Sequence, residues 1–378
     1  MRNELESSTA LSNRNIVSVA QLPELIHQMM ASQKHVASQG GDQHFITLRI
    51  VGSPAIGKSQ IPIQVAKAAS WHYEIIRCMN FSPVELNGWV TQVGDVMSQL
   101  KPDWFVRVMQ AVEDGKDVMI VFEEVSQCDE DIQKQLAQII WDRTVAGTVM
   151  PANVLMVANG NRKEDKAGVK RTLGHMTTRW LDVELVAELE PTLEYFTKVG
   201  VVQPVIDYLA FYGKGEDQCL HRPQPDGQPW PSARTYQQLS NSIDAGATGE
   251  LLRVIANGCI GIGEAAKFLK FLDIYNDMVH PKEILENPET ADVPEALDTQ
   301  VALVGALAGH VEQPTMEAFC TYAKRLPEEL QAVAAQHIKR RNKMSEKKAE
   351  ETGVKSVPLS SAQLVDMLVD QHELLTES

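Results

Sequence analysis

The chain has 378 residues, enough for roughly two or three domains, and its hydrophobic fraction of 44% is ordinary for a globular protein. The formal net charge of −15 argues against a broad surface for nucleic acid or anionic membranes, although it leaves room for a local basic patch. The five cysteines form no Cys-x-x-Cys pair, so neither a zinc site nor a disulfide framework is indicated. No apolar run reaches 18 residues and the first residues lack the apolar segment of a signal peptide. We therefore expect a cytoplasmic protein without a membrane partner, in its own cell or in a host cell.

The first half of the chain alternates between strand and helix patterns. Polar residues 1–16 are expected to be disordered, and residues 17–186 are expected to form an α/β nucleotide-binding core. The predicted elements are a helix over 19–30, a strand over 44–51, a helix up to 70, a strand over 73–78, a helix over 102–113, a strand over 117–122, a helix over 129–141 and a strand over 154–158. Such alternation predicts a parallel sheet that is covered by helices on both faces.

The second half shows helical patterns and few strand signals. We expect an α-helical domain over 187–278 and a helical extension over 279–337, followed by a charged linker over 338–358. Residues 359–378 are predicted to form a terminal helix that has Leu364, Leu368 and Leu375 on one face. That apolar face must be buried, either on a partner protein or on the helix's own subunit.

Residues Gly52-Ser-Pro-Ala-Ile-Gly-Lys-Ser59 have the pattern of a phosphate-binding loop between a strand and a helix. The two glycines let the backbone turn its N–H groups toward one cluster of phosphate oxygens, and the following helix adds its positive N-terminal end. Lys58 carries a charge to the β- and γ-phosphates, and the Ser59 hydroxyl can bind Mg²⁺. The predicted nucleotide-binding residues are Gly52, Ser53, Pro54, Ala55, Ile56, Gly57, Lys58 and Ser59.

Two carboxylates, Glu123 and Glu124, follow the predicted strand over 117–122. In phosphate-loop ATPases the first carboxylate at such a strand end holds the Mg²⁺ shell and the second polarises the attacking water. We expect this strand to lie beside the phosphate loop, so that both carboxylates approach Lys58. A polar strand end without a catalytic role is the alternative interpretation.

Further polar residues follow at positions where they could act on a nucleotide. An amide at the end of the strand over 154–158 can orient water against the γ-phosphate, and Asn161 is preferred to Asn159 for this role. Arg179 could stabilise transition-state charge in a neighbouring subunit's site, and Arg234 could reach the nucleotide from the helical domain. Taken singly, the Asn-Gly pair is also a turn signal and each arginine could be a solvated surface group.

Taken together and in this order, these residues resemble a MoxR-type AAA+ ATPase of the helix-2-insert group. The matching segments are Gly52–Ser59 for Walker A, Ile120-Val-Phe-Glu-Glu124 for Walker B, Ala158-Asn-Gly-Asn161 for sensor 1, Thr178-Arg179-Trp180 for the arginine finger, Ser232-Ala-Arg-Thr-Tyr236 for sensor 2, and Phe81-Ser-Pro-Val-Glu-Leu-Asn-Gly88 for the segment before the insert. The resemblance runs from about residue 40 to residue 275. The chain departs from the family pattern where Glu123 replaces an Asp, where Ala233 and Tyr236 replace the Pro and Trp of sensor 2, and where Trp180 replaces a Phe.

The resemblance implies ATP and Mg²⁺ as cofactors, with Ser59 and Glu123 at the metal and with Glu124, Asn161, Arg179 and Arg234 in catalysis. It also implies a homo-oligomeric ring, hexameric in the family, that remodels or matures a protein substrate, often with a von Willebrand factor A-type partner. Residues 82–101 would be the helix-2 insert and residues 144–149 a hairpin before sensor 1, both on the pore side of the ring.

Three functions remain in competition at this point. The first is an ATPase that remodels a protein partner. The second is a nucleotide-binding switch or scaffold with little hydrolysis, because the longer side chain of Glu123 must fit a tight octahedral Mg²⁺ site. The third is an AAA+ motor that acts on nucleic acid, for which the basic residues of 339–348 are the supporting feature and the acidic overall charge is the opposing one.

Overall fold

A computed structural model of the protein describes residues 15–40, 45–162, 178–213, 220, 227–277, 281–352, 358–361 and 364. The chain divides into two compact units, Met1–Glu188 and Leu189–Ser378. The first unit contains the strands and the second unit is helical. None of the helices within these described stretches is long and apolar enough to cross a membrane.

The first unit is built on a six-stranded sheet whose strand pairs are all parallel, in the order β1-β10-β2-β9-β6-β3. Its strands are β1 (Ile16–Val17), β2 (Thr47–Val51), β3 (His72–Arg77), β6 (Val118–Glu123), β9 (Val154–Gly160) and β10 (Trp180–Leu185). The helices around it are α1 (Gln21–Ser38), α2 (Gln60–Ala68), α4 (Asp103–Glu113) and α5 (Glu130–Asp142). Ile16 already belongs to β1, so the expected disorder of residues 1–16 does not extend to it; residues 1–14 lie outside the described part.

Both faces of the sheet are covered, because successive side chains of a strand point to opposite sides. In β6, Ile120 and Phe122 join a core that includes residues of α4 and α5, whereas Met119 and Val121 join a second core with residues of α1 and α2. The strand is apolar throughout, as expected for a central parallel strand that is buried on both faces. The predicted α/β fold with a flanked parallel sheet and a helical region after it is confirmed.

The strand that carries the carboxylates is not the direct neighbour of the strand that carries the phosphate loop. β9 lies between β2 and β6 and pairs with both of them. This corrects the expected adjacency, which local sequence patterns could not test because strand order depends on pairings between distant segments. The carboxyl ends of β2, β9 and β6 still meet at one edge of the sheet, since the strands run parallel.

Two hairpins project from the sheet unit. Residues of the expected insert form α3 (Pro83–Asn87) and an antiparallel pair of strands, β4 (Trp89–Val93) and β5 (Val96–Leu100). The expected hairpin over 144–149 forms from β7 (Thr144–Val145) and β8 (Thr148–Val149). The turn of the second hairpin contacts the base of the first, because the Ala146 N–H donates to the Asn87 side chain, just before β4, at 3.2 Å.

The second unit is an assembly of helices around one apolar core. Its helices are α6 (Leu189–Lys198), α7 (Gln203–Tyr212), α8 (Ala233–Asp244), α9 (Gly249–Ile260), α10 (Ile262–Asp277), α11 (Pro281–Glu286), α12 (Leu297–His310), α13 (Met316–Ala323) and α14 (Glu328–Thr352). Between α7 and α8, residues 214–219 and 221–226 lie outside the described residues.

Helix α14 replaces the first part of the expected charged linker over 338–358. Ile338 is fully buried, and Arg340 donates two hydrogen bonds to the Glu190 carboxylate, at 2.8 and 2.9 Å. Arg341 donates to the backbone carbonyls of Ala308 and Val311. The charges of Arg340 and Arg341 are thus matched inside the second unit, so the helix continues into this polar segment.

The chain after α14 returns to the same unit. The Asn342 side chain exchanges two hydrogen bonds with the backbone of Leu359, and Leu364 is buried in the helical core. Among the residues of the predicted terminal helix, only 359–361 and 364 are described. Those that are described pack on their own subunit.

Candidate nucleotide-binding site

The phosphate loop connects β2 to α2, and its glycines are required by its backbone. A Cβ atom at Gly52 would lie 2.5 Å from Ile56 Cδ1 and 2.7 Å from the Leu185 carbonyl oxygen, so a larger residue does not fit there. Gly57 has φ of +98°, in the left-handed region that favours glycine. Ala55 also has a positive φ, 62°. This tightly turned backbone leads into the first turn of α2 immediately after Ser59.

Lys58 lies inside the loop in this structure. Its ammonium group donates to the carbonyl oxygens of Gly52 at 2.9 Å and Ser53 at 2.6 Å. The side chain is therefore already directed into the concave side of the loop, where its charge is met by two backbone dipoles. Anionic phosphate oxygens would be stronger acceptors for the same ammonium group than these neutral carbonyls.

Asn159, in the penultimate position of β9, reaches the residue that ends the loop. Its Nδ2 donates to Ser59 Oγ at 3.2 Å. The side chain of Asn159 is 3% exposed, and its Oδ1 is a buried oxygen without a hydrogen-bond partner. The residue that the sequence favoured, Asn161, instead donates its backbone N–H to Ser126 Oγ at 2.9 Å. The amide side chain that contacts the phosphate loop is therefore that of Asn159, the less favoured of the two candidates.

Glu123 and Glu124 stand at the carboxyl end of β6, as predicted, and differ in their surroundings. Glu123 is the last residue of the strand, and its Oε2 lies 3.4 Å from Arg77 Nε at the end of the paired strand β3. Glu124 is exposed and has left-handed backbone angles, φ 61° and ψ 30°. That conformation turns the chain at the end of β6. The side chains of Glu123 and Glu124 therefore do not point to opposite faces of the sheet as consecutive residues within a strand do.

The two predicted arginines lie in different units. Arg179, just before β10, donates to the Ala137 carbonyl of α5 at 2.7 Å, and its guanidinium lies 5.2 Å from the centre of the Trp141 ring. Arg234 is exposed in the first turn of α8, after the Ser232 cap, in the second unit.

A further arginine at this site was not singled out by the sequence patterns. Arg162 lies two residues after the end of β9 and donates to Ser53 Oγ of the phosphate loop and to Glu184 Oε1 of β10, the latter at 3.1 Å. The sequence signal for it is weak, since Ser53 lies 109 positions away along the chain. Only the parallel pairing of β9 and β10 on either side of β2 brings these three side chains to one edge.

The residues at this edge fit a nucleoside triphosphate with Mg²⁺. The loop is a cradle that a Cβ at Gly52 would fill, and Lys58 supplies a cation within it. Next to it, the Ser59 hydroxyl and the buried, unpartnered Asn159 Oδ1 are oxygen atoms of the kind that bind Mg²⁺ or its water ligands. Carboxylates follow at the end of β6.

Comparisons with known proteins give only distant likenesses. No family profile matches the sequence, and no curated protein matches it. Among solved structures, three variants of RuvB from Thermotoga maritima are similar to this chain, with TM-scores of 0.36, 0.35 and 0.34. The identities are 12%, 12% and 11%; 80% of this chain is covered in each case, with 88%, 87% and 87% of the RuvB chains. At these TM-scores the likeness assigns no activity.

Proposed function

We propose that the protein is an ATPase that binds ATP–Mg²⁺ at the loop Gly52–Ser59 and uses hydrolysis to remodel a protein partner, as a ring of identical subunits. The observation that carries the first part is the convergence of the loop, Lys58, Asn159 and two carboxylates at one edge of a parallel sheet. Ligands of open α/β sheets bind at the carboxyl ends of the strands, which is the edge where these groups meet.

Each group has a chemical task in this proposal. Lys58 and the loop N–H groups bind the phosphates, and Ser59 with Glu123 would hold Mg²⁺, which supplies neutralising charge at the β- and γ-phosphates when it is bound. Glu124 accepts a proton from, or orients, the attacking water. Asn159 would orient the Ser59 hydroxyl, to which its side chain donates a hydrogen bond. Arg179 of a neighbouring subunit and Arg234 complete the site in the assembled ring.

The hairpin of β4 and β5 supports a protein substrate over a small molecule. Its side chains are largely exposed although many of them are apolar, including Trp89, Val93, Val96 and Met97. An isolated two-stranded hairpin is marginally stable in water, and exposed apolar patches of this kind are typical of protein contact sites. We infer that this hairpin touches the polypeptide on which the ATPase acts.

Three of the six basic residues in the run over 339–348 are already paired, which weakens its support for a nucleic-acid motor. Arg340 is bound to Glu190, Arg341 to backbone carbonyls, and Lys343 to Glu194 at 2.5 Å. Side chains that are already paired inside the second unit are poor contacts for phosphodiester backbones. The nucleotide switch remains the competing function, because Glu123 stands where related ATPases have an aspartate.

Two measurements on one purified sample test the proposal. Native mass spectrometry with and without ATP–Mg²⁺ should show a ring-sized oligomer with nucleotide bound. Phosphate release by the same sample should be measurable, and Glu124→Gln should abolish it while retaining bound ATP. Nucleotide binding without turnover in the wild-type protein would replace the ATPase by the switch, and a protein that stays monomeric with ATP would remove the ring.

A further inference from the structure

Arg162 connects the phosphate loop to a buried carboxylate of the next strand. Its guanidinium donates to Glu184 Oε1 at 3.1 Å and to Ser53 Oγ. Glu184 is only 5% exposed, and its register position in β10 is opposite Val51, the last residue before the loop. Removing a charged partner from a carboxylate buried to this degree is costly, so the ion pair with Glu184 holds the Arg162 guanidinium at the end of β10.

Ser53 is held from two directions. Its backbone carbonyl accepts from Lys58 Nζ at 2.6 Å, and its hydroxyl accepts from Arg162. The preceding residue, Gly52, packs so closely on the Leu185 carbonyl that a Cβ there would lie 2.7 Å from the oxygen. The first part of the loop is thus bridged to β10 by Arg162 and lies close against the backbone of that strand at Gly52.

The contact from Lys58 cannot persist when a nucleotide binds, because the ammonium group must turn from the loop carbonyls to the phosphates. The contact from Arg162 to the hydroxyl can persist, since it lies on a different atom of Ser53 and is anchored by Glu184. We propose that Arg162 is a positioning residue for nucleotide binding: it holds Ser53, and with it the start of the phosphate loop, in place when Lys58 moves to the phosphates. This inference rests on the proposed function of the loop.

A role in positioning the loop differs from direct contact with the γ-phosphate. A loop that is poorly held should bind ATP and ADP less tightly by the same factor, because both nucleotides need the loop N–H groups. If the whole free energy of one lost charge-assisted hydrogen bond appears in nucleotide binding, the affinity falls about tenfold. A guanidinium that touches the γ-phosphate would instead affect ATP and leave ADP unchanged.

The test is equilibrium titration of the full chain with ATP–Mg²⁺ and ADP–Mg²⁺. The variants are Ser53→Ala, Arg162→Gln and their combination; Ser53→Ala keeps the ion pair between Arg162 and Glu184, so it should keep the wild-type melting temperature. The matched control is Arg49→Gln, which removes a different arginine that is bound to a carboxylate of β10, Asp182, at 2.6 Å. We expect each single variant to weaken both nucleotides about tenfold, the double variant to be no weaker than that, and the control to match the wild type.

Three results would overturn the inference while leaving nucleotide binding in place. They are unchanged affinity in Ser53→Ala, a multiplied loss in the double variant, or a loss in Arg162→Gln that is confined to ATP. If Arg162→Gln alone fails to fold, the Ser53→Ala titration still decides. A wild-type protein that binds neither nucleotide would instead remove the proposed function itself, and the inference with it.

Discussion

Asn159 Nδ2 donates to Ser59 Oγ across 3.2 Å, although the two residues are one hundred positions apart in the chain. The contact joins the end of β9 to the residue that closes the phosphate loop. It leaves Asn159 Oδ1 buried and without a hydrogen-bond partner, a costly arrangement in a protein interior. A ligand or water that donates to this oxygen would satisfy it.

The first prediction therefore concerns the two candidate amides. Asn159→Ala should lower the rate of ATP hydrolysis by about tenfold or more, because it removes a hydrogen bond to the proposed Mg²⁺ ligand. Asn161→Ala, whose backbone N–H makes the contact with Ser126, should have a smaller effect and serves as the matched control. Steady-state phosphate release measures both. A larger loss in Asn161→Ala would restore the assignment that the sequence favoured.

Glu123 gives the second prediction. The longer side chain must fold back, or displace the water shell of Mg²⁺ from the position that Ser59 sets, and a displacement of about 1 Å can cost roughly a hundredfold in rate. Glu123→Asp should therefore hydrolyse ATP faster than the wild type in a phosphate-release assay. Inactivation by Glu123→Asp would mean that the surroundings, including Arg77 at 3.4 Å, have adapted to the glutamate. The switch hypothesis would then lose its main support.

Arg179 gives the third prediction. The side chain is bound to Ala137 and Trp141 on α5 of its own unit, so it would have to act on the site of a neighbouring subunit from that face. Arginine fingers supply on the order of a thousandfold or more in rate. Arg179→Ala and Glu124→Gln should each be inactive alone and should regain some activity when mixed, because one interface then carries both intact groups. Absence of recovery in verified mixed oligomers would place Arg179 outside the catalytic site.

The parts of the fold that sequence analysis predicted are those with a local signal. The apolar run of β6 and the glycine spacing of the phosphate loop each lie within fewer than ten consecutive residues, so both can be recognised in the sequence. Strand order carries no such signal, which is why the insertion of β9 between β2 and β6 was missed. The same holds for the part of α14 over 338–352, where Arg340 pairs with Glu190 at a separation of 150 positions.

The site shows the same division between local and distant information. The residues Lys58, Ser59, Glu123 and Glu124 were identified from short motifs, and the structure brings their strands to one edge of the sheet. The preference for Asn161 over Asn159 could not be settled from the motif, because it depends on which amide side chain reaches Ser59 in the folded protein. Arg162 was missed for the same reason, since its partner in the loop is set by the pairing of distant strands.

Asp207 in the second unit gives the fourth prediction, on stability and pH. The carboxyl is 1% exposed, and burial raises its pKa to about 8 although hydrogen bonds from Gln203 and Tyr275 and the charge of Arg340 act in the opposite direction. His337 Nδ1 lies 3.5 Å from the same carboxyl. The pKa of Asp207 is higher in the folded protein than in the unfolded chain. The contribution of the protonated carboxyl to the free energy of unfolding is therefore complete below about pH 4 and is lost as the pH rises toward 8.

The measurement is urea unfolding of the wild type and of Asp207→Asn at pH 5 and pH 8. The neutral amide does not titrate, so the free energy of unfolding of the variant should gain on that of the wild type by about 1.4 kcal/mol per pH unit over this range. Other titrating groups contribute equally to both proteins, so their contributions cancel in the difference between the two free energies of unfolding. A difference in the free energy of unfolding that stays constant from pH 5 to pH 8 would show instead that Asp207 is already ionised at pH 5, beside His337 or Arg340.

The fifth prediction tests the central claim, that the loop Gly52–Ser59 binds a nucleotide. Calorimetric titration with ATP–Mg²⁺ should give a saturable binding curve for the wild type and for Lys67→Ala, an exposed lysine further along α2. Lys58→Ala should keep its fold but bind ATP–Mg²⁺ about tenfold to a hundredfold more weakly, because it removes the cation that lies inside the loop. Unchanged affinity in a folded Lys58→Ala protein would contradict the account.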